Sequence, residues 1–366
     1  MKTHHKLSFS NSNNMNEIED ESIDLIVTSP PYPMIEMWDK VFSEQNPIIK
    51  EKLNAKNGND AFELMNQELD KVWKEGYRVL KHGGFACINV GDATRKIGKE
   101  FKIYMNHSRI LQFCEKLGFS CLPAIIWKKQ TNSPSKFMGS GMLPAGAYVT
   151  LEHEFILVLR KGNNRLFTKI EEKSNRKQSA FFWEERNIWF SDIWEGLKGI
   201  RQNNINKEIR AKSAAFPFEL AYRLINMYSL KKDHILDPFL GTGTTTIASI
   251  VAGRNSIGFE INKKFKNHIS SRFDSLVDFS NQIIENRLKN HIKFVEKQLE
   301  NQNELNYKST YYDFPVMTRQ ETEILFDELK KITRRKKSFE ITYQKYPTFY
   351  FKKGLIIKKR KLSISN

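Results

Sequence analysis

Ile235-Leu236-Asp237-Pro238-Phe239-Leu240-Gly241-Thr242-Gly243-Thr244-Thr245-Thr246 is the stretch that decides the fold of this chain. Apolar residues lead into a glycine-rich turn, and a helix-like stretch, Thr246-Ile247-Ala248-Ser249-Ile250-Val251-Ala252, follows it. The pattern is a strand, a tight turn and a helix N-terminus, with glycines that let the backbone approach a ligand closely. A second strand, Ser256-Ile257-Gly258-Phe259, ends in Glu260, and an acid at that point of such a unit is placed to take two ribose hydroxyls. A dinucleotide fingerprint wants a third glycine where Thr246 stands, and a phosphate loop wants Gly-Lys-Ser/Thr after the turn. Neither is present, so nothing here is built for a pyrophosphate. An adenosine with a short zwitterionic tail fits the turn better.

Far upstream, the apolar run Ile23-Asp24-Leu25-Ile26-Val27 reads as a buried strand, and Thr28-Ser29-Pro30-Pro31-Tyr32 follows it. Each proline fixes φ and lacks an N–H, and each pushes the residue before it towards extended geometry. The result is a stiff edge bearing a hydroxyl, an unpaired carbonyl and an aromatic ring, a set suited to gripping a flat base by its exocyclic amino group. Taken alone, a plain proline turn after a strand is the better reading. The glycine turn downstream reverses that preference.

Together the two segments resemble the amino-methyltransferases of DNA. Ser29-Pro30-Pro31-Tyr32 is similar to their catalytic motif, and Asp237 to Thr244 is similar to their S-adenosylmethionine motif. The order, catalytic part first, resembles the permuted β-class, and the likeness covers roughly residues 5–273. The resemblance implies S-adenosylmethionine as cofactor, held by Asp237, Pro238, Phe239, Gly241, Gly243, Thr244 and Glu260. Ala215-Phe216-Pro217-Phe218-Glu219-Leu220 looks like the family motif that closes over the methionine end, with Phe216 and Pro217 as contacts; ordinary core is the competing reading for Phe216 and Phe218. A Gly-Asp pair that commonly follows the family's first strand is missing here. The matching stretch is Leu7 to Ser12, where Asn11 or Ser12 is the candidate for the adenine edge.

The same resemblance gives a mechanism. Ser29 Oγ and the Pro30 carbonyl accept the N–H bonds of an amino group whose lone pair is delocalised into the ring. Tyr32 stacks on a base flipped out of the duplex, since the reacting atom is out of reach inside it. The rest is alignment of that nitrogen with the sulfonium methyl. Asp24 reads as structural. Family members acting on adenine mostly carry Asp or Asn at the position of Ser29, and those acting on the cytosine amino group mostly carry Ser, so the expected product is N4-methylcytosine in double-stranded DNA. The run Tyr32 to Trp38 looks like a subgroup from restriction-modification systems, which implies a cognate restriction endonuclease acting on the same site. The alternatives are an N6-adenine DNA methyltransferase and a non-catalytic DNA-binding protein. RNA and protein-glutamine methyltransferases more often show Asn-Pro-Pro-Tyr with the cofactor motif first.

Between the motifs, strands and helices alternate. A helix is expected from Leu69 to Leu80, stopping near Lys81-His82-Gly83-Gly84, then a strand over Phe85–Val90. A helix over Ile110–Leu117 stops at Gly118, and strands follow over Ala124–Trp127 and Glu154–Leu159. This predicts an α/β fold: a Rossmann-like, mostly parallel sheet with helices on both faces and a basic C-terminal extension. The expected division is a methyltransferase domain over 1–273, with a catalytic half (1–160), a DNA-recognition insertion (161–212) and a cofactor half (213–273), then an extension over 274–366. Residues 275–330 are expected to be helical, from Ile284, Leu288, Ile292, Val295 and Leu299 at helical spacing, and strands are expected over Phe339–Tyr343 and Thr348–Ile357.

The formal charge of +17 over 366 residues points to a polyanionic partner. From Lys331 to Asn366 there are 12 Lys/Arg and one acid, Glu340, interleaved with aromatics; phosphate contact by such a segment carries little sequence information. The loop Gln130–Thr150, rich in Gly, Pro and Met, is long enough to expect a function, such as covering the target base. Residues 161–212 hold Lys173, Arg176, Lys177, Arg186, Arg201, Lys207, Arg210 and Lys212 among Trp183, Trp189 and Trp194, of which two are expected in the core. No apolar run is long enough to span a membrane, and no signal-peptide pattern opens the chain. Cys87, Cys114 and Cys121 lack metal-type spacing and read as reduced and buried in a cytoplasmic protein. The scattered histidines give no metal site, and the oligomeric state is not written in the sequence.

Overall fold

A computed structural model describes residues 1–129, 140–197, 216–335 and 338–345. In chain order its strands are β1 (Lys2–Ser8), β2 (Ile23–Thr28), β3 (Leu80–Val90), β4 (Ala93–Ile97), β5 (Glu100–Tyr104), β6 (Phe119–Lys128), β7 (His153–Lys161), β8 (Ile193–Trp194), β9 (His234–Asp237), β10 (Asn255–Phe259), β11 (Tyr307–Lys308), β12 (Pro315–Val316), β13 (Asp327–Arg334) and β14 (Ser338–Lys345). The helices are α1 (Asp39–Gln45), α2 (Ile48–Asn54), α3 (Gly58–Val79), α4 (Asn106–Leu117), α5 (Ile170–Gln178), α6 (Trp183–Trp189), α7 (Phe218–Tyr228), α8 (Thr244–Ala252), α9 (Phe265–Ser271) and α10 (Leu276–Glu300).

Ten strands form one sheet in the order β13-β14-β1-β10-β9-β2-β3-β7-β6-β8. The central five, β1, β10, β9, β2 and β3, are all parallel. β7 and β14 join them antiparallel on either side. This is the Rossmann-like, mostly parallel sheet that the alternation of strands and helices predicted. β2 is buried at all six positions, as a strand covered on both faces must be. Its alternation sends Leu25 and Val27 into one core with Leu220, Leu224 and Ile247, and Ile26 into another with Leu69, Val72 and Ile110.

The sheet order locates the functional edge. From β9 the chain runs through α8 to β10 on one side; from β2 it runs through α1, α2 and α3 to β3 on the other. β9 and β2 are neighbours, with Leu25 opposite Ile235 and Ile26 opposite Leu236. The chain direction therefore diverges between them, and the crevice outside their carboxyl ends is where such sheets bind ligands.

Four expectations need correction. Of the three cysteines expected to be buried, Cys87 and Cys114 are, but Cys121 is exposed. The helix expected from Leu69 begins at Gly58 and ends at Val79, not near Gly83. Leu80 is already extended and pairs with Ile23, so the strand begins inside the expected stop signal and Gly83, at φ +79°, lies within β3. Residues 275–330 are helical only to Glu300; among the described elements, one short strand pair, β11 with β12, and a single turn of 3-10 helix follow before β13. The stretch after 273 is also no appendage as far as Lys345. β14 pairs with β1, Tyr343 N–H donates to the Met1 carbonyl at 2.9 Å, and Tyr343 Oη donates to the Ile250 carbonyl at 2.7 Å.

A third, smaller core ties the interval between the motifs to this C-terminal part. Phe182 packs with Ile284, Leu288, Phe314 and Phe326, and Arg287 forks onto Glu185 with both contacts at 2.6 Å. Trp189 and Trp194 are buried and Trp183 is exposed, the two-to-one division expected. Arg201, Lys207, Arg210 and Lys212, the strand expected over Thr348–Ile357 and the first part of the Gln130–Thr150 loop lie outside the described residues. Among the described residues, no helix is long and apolar enough to cross a membrane.

Candidate active site

β9 ends at Asp237 and β2 at Thr28, side by side. The Thr28 hydroxyl donates to Asp237 Oδ1 at 2.6 Å, and Phe239 N–H donates to the same oxygen at 3.1 Å. Thr245, in the first turn of α8, donates its hydroxyl to the Val27 carbonyl at 3.2 Å. Burial pushes the Asp237 carboxyl up to about 6, against the pull of these donors. The glycine turn is then folded back on the next strand, with Leu240 N–H donating to the Phe259 carbonyl at 2.8 Å.

Gly241 and Gly243 both have positive φ, at +52° and +79°, a region only glycine enters freely. A Cβ on Gly241 would meet nothing nearer than the Phe239 carbonyl at 3.9 Å, so the turn presents bare backbone to open space. Gly243 caps α8 and Thr244 opens it. Glu260 borders that space. Its Oε2 accepts from Gly241 N–H at 2.8 Å and its Oε1 from Asn262 N–H at 2.7 Å. Each oxygen keeps a free lone pair, and burial pushes the carboxyl up to about 7. A carboxylate held by backbone on one side and, among the described residues, short of donors on the other is what a pair of ribose hydroxyls would complete.

The remaining cofactor candidates separate. Pro238 turns inward and lines a small apolar space with Val72, Trp73 and Cys114. Phe239 meets the Trp73 ring edge-on, with centroids 5.8 Å apart. Phe218 is stacked on Tyr222 and edge-on to Phe279, which is core packing. Phe216 and Pro217 are buried just ahead of α7. Asn11 follows β1 at the same sheet edge as Glu260, whose N–H donates to the Ser8 carbonyl at 2.9 Å. Its amide donates to Gln45 Oε1 at 3.2 Å, and Ser12 is buried.

The Ser29–Tyr32 turn stands beside this space, one residue past Thr28. Ser29 and Pro31 are half-buried and Pro30 is buried. Tyr32, Pro33, Met34 and Ile35 make a turn closed by Ile35 N–H on the Tyr32 carbonyl at 3.2 Å. Met34 sits in it at φ +69°, buried, a conformation rarely held by a side-chain-bearing residue and common near functional sites. Asn106, at the start of α4, donates to both the Pro33 and Gly91 carbonyls, at 3.1 and 3.0 Å, fastening the turn to the end of β3.

Tyr32 does not offer a free ring face. It is 8% exposed, and its hydroxyl lies 3.0 Å from Ser29 Oγ and donates to Glu154 Oε2 at 2.9 Å. Asn89 Nδ2 donates to Tyr32 Oη at 3.0 Å and to Glu154 Oε2 at 2.6 Å, and Lys129 reaches Glu154 Oε1 at 2.5 Å. So buried a ring leaves little surface for the stacking expected of Tyr32, and its hydroxyl is engaged within this network. Sequence reasoning missed Asn89, Asn106, Lys129 and Glu154; the one available signal was a polar Asn89 inside an apolar strand. Asp24 is at the opposite end of β2, bound to Lys81 Nζ and His234 N–H, and is structural.

The same sheet edge carries basic and aromatic groups. The β4–β5 hairpin leaves β3 just after Asp92 and exposes Lys96, Lys99 and Phe101. Tyr148, from the described end of the Gln130–Thr150 loop, stacks on Phe101 with centroids 5.1 Å apart.

The chain is similar to known DNA methyltransferases. The N6/N4 methyltransferase family model, described as DNA methylase, matches residues 23–272. The Type II methyltransferase M.MthZI of Methanothermobacter thermautotrophicus is 52% identical over 348 residues, spanning 94% of this chain and 96% of that protein. The Type II methyltransferase M.MjaI of Methanocaldococcus jannaschii is 50% identical over 72% of this chain and 89% of that protein. A solved structure from Thermus thermophilus, described as a putative DNA modification methylase complexed with S-adenosyl-L-methionine, is 30% identical with a TM-score of 0.57, covering 74% of this chain and 95% of that one. The cytosine-N4-specific PvuII DNA methyltransferase shares the fold, at 17% identity and a TM-score of 0.50, over 77% of this chain and 93% of that chain.

Proposed function

This chain belongs to the DNA methylase family of N6/N4 methyltransferases, and from that premise we propose that it methylates the exocyclic N4 amino group of cytosine in double-stranded DNA, with S-adenosylmethionine as methyl donor. The observation that carries the reading is the pairing of β2 with β9, which sets the Ser29-Pro30 edge against the open glycine turn. The order of the two motifs along the chain supports the permuted β-class.

S-adenosylmethionine supplies an electrophilic sulfonium methyl when bound. Glu260 takes the ribose hydroxyls, the backbone of Gly241 and Gly243 admits the ligand closely, and Asp237 holds the turn rigid through Thr28 and Phe239. Thr244, Pro238 and Phe239 shape the turn from beneath. Phe216 and Pro217 border the methionine end, and Asn11 stands on the adenine side. Opposite, Ser29 Oγ and the Pro30 carbonyl accept the two amino hydrogens, draw the nitrogen towards tetrahedral geometry and ease its developing positive charge. Pro31 keeps that edge stiff, and Tyr32 bears on the base with the open part of its ring. No covalent enzyme intermediate is needed; the work is alignment.

Ser29, where the adenine enzymes mostly carry Asp or Asn, favours cytosine over adenine. The basic stretches within 161–212 and beyond Lys331 are assigned to DNA contact, with phosphates as the main partners. The close likeness to Type II methyltransferases supports a place in a restriction-modification system, protecting a site from a cognate endonuclease, and a DNA substrate is in keeping with the cytoplasm. The test is transfer of labelled methyl from S-adenosylmethionine to unmethylated duplex DNA. Incorporation into duplex that stops once the DNA has been exhaustively treated supports the reading; label on RNA or on no nucleic acid contradicts it.

A further inference from the structure

Ser29, Tyr32 and Glu154 form a hydrogen-bonded chain whose direction can be read by counting hydrogens. Glu154 is in an ion pair with Lys129 through Oε1, so its Oε2 only accepts. Tyr32 has one hydroxyl hydrogen, and it goes to Glu154 Oε2 at 2.9 Å. Burial and the neighbouring Glu154 hold the Tyr32 phenol well above its ordinary range, so that hydrogen stays in place. Asn89 Nδ2 donates to the phenol oxygen from one side at 3.0 Å. The contact that remains, Ser29 Oγ to Tyr32 Oη at 3.0 Å, has only one possible donor, which is Ser29.

This has a chemical consequence at the other end of the chain. A serine hydroxyl is ambivalent: one hydrogen, two lone pairs. An amino group about to be methylated needs acceptors for its N–H bonds. We propose that Glu154 is a positioning residue that, through Tyr32, commits the Ser29 hydrogen inward and leaves both Ser29 lone pairs for the substrate's exocyclic amine. The device explains why a neutral serine serves where a carboxylate or amide would accept without help. Tyr32 and Glu154 are also packed closely on Gly91, where a Cβ would stand 3.0 Å from Tyr32 Cε2 and 3.2 Å from Glu154 Cγ.

The inference rests on the proposed function, and the test separates the two. Single-turnover methyl transfer to duplex DNA and S-adenosylmethionine affinity are measured for the wild type, Glu154→Leu, Tyr32→Phe and the double variant. In Glu154→Leu the phenol loses its acceptor and turns its hydrogen onto Ser29 Oγ, competing with the substrate. Transfer should slow by about tenfold, the weight of one hydrogen bond at the reacting nitrogen, with cofactor affinity within about twofold. Adding Tyr32→Phe removes the competing donor, so the double variant should transfer faster than Glu154→Leu alone. A merely structural Glu154 predicts the reverse, since two losses in one packed network would compound. Should Glu154→Leu fail to bind cofactor, Glu154→Asp replaces it: the shorter carboxylate withdraws from Tyr32, and the same loss and the same recovery are expected. Wild-type rates in both Glu154 variants, or a double variant slower than the single, overturn the inference while leaving the proposed function standing. A wild type that methylates no duplex overturns the proposed function and, with it, this one.

Discussion

The Thr28 hydroxyl and the Asp237 carboxylate, 209 residues apart in sequence, are joined by a buried hydrogen bond of 2.6 Å. It binds the last residue of the strand that leads into Ser29 to the last residue of the strand that leads into the glycine turn. The two motifs are thereby one rigid object, and each reports on the other.

Thr28→Val should cut that connection without changing side-chain shape. A buried hydrogen bond to a charged group is worth about 1.5–3 kcal/mol, so chemical denaturation should show a loss of that order. Asp237 loses a donor that favours its charged form and should titrate still higher than about 6. Calorimetry should show weaker S-adenosylmethionine binding, and turnover should fall with it. A variant weakened in turnover alone would mean that the bond serves only the catalytic strand.

Glu260 gives a pH dependence with a definite sign. Burial holds its carboxyl up at about 7 in the ligand-free protein. Two hydroxyl donors favour the charged form, so S-adenosylmethionine affinity should strengthen as pH rises from about 6 to about 8. Binding near neutrality should release a proton, visible as a buffer-dependent calorimetric enthalpy. Glu260→Gln should bind more weakly and without that slope. The ligand-free fold has the opposite slope: a raised folded value means that stability is full below the ordinary carboxylate range and is lost as pH rises through about 7. Asp237 acts in the same direction through about 6.

Ser29→Ala should lower turnover by about 100-fold, the usual weight of one preorganised group at a developing charge. Its affinity for S-adenosylmethionine should stay within about twofold, because Ser29 is assigned to the base and the cofactor to the glycine turn. Turnover equal to wild type would remove Ser29 from the mechanism.

The C-terminal stretch can be divided experimentally at Lys345. Truncation after Lys345 removes six Lys/Arg and no acid and spares every described strand. It should leave thermal stability unchanged, weaken duplex binding and flatten the salt dependence of that binding. Truncation after Lys330 removes β14 and half of β13, with Phe339, Ile341 and Tyr343 taken out of the main core, and should destabilise the whole protein. Unchanged DNA affinity in the shorter truncation would reduce the tail to a solvated charge.

What the sequence disclosed was local. The turn after Asp237 and the edge after Thr28 are written in consecutive residues, with glycine and proline fixing backbone geometry wherever they occur. β14 was legible as a strand from its alternation, yet its partner was not: pairing Phe339 with His5 is a long-range choice that no local pattern encodes. Glu154 was legible only as the start of a strand. Its place in the network comes from register, since β7 runs antiparallel to β3, and that carries its carboxylate to Asn89 and Tyr32. The helix over 58–79 was half seen, from Leu69 onward; it begins at Gly58, where the Asn57 side chain caps it by accepting from Asp60 N–H.

The central claim is that the amino group of cytosine is methylated at the Ser29-Pro30 edge. The most direct measurement digests unmethylated duplex DNA to nucleosides after incubation with the purified chain and S-adenosylmethionine, and identifies the methylated base by mass spectrometry. The expected product is N4-methylcytosine, abolished to background in the double variant Ser29→Ala with Glu260→Gln. N6-methyladenine would keep the family and contradict the reading of Ser29.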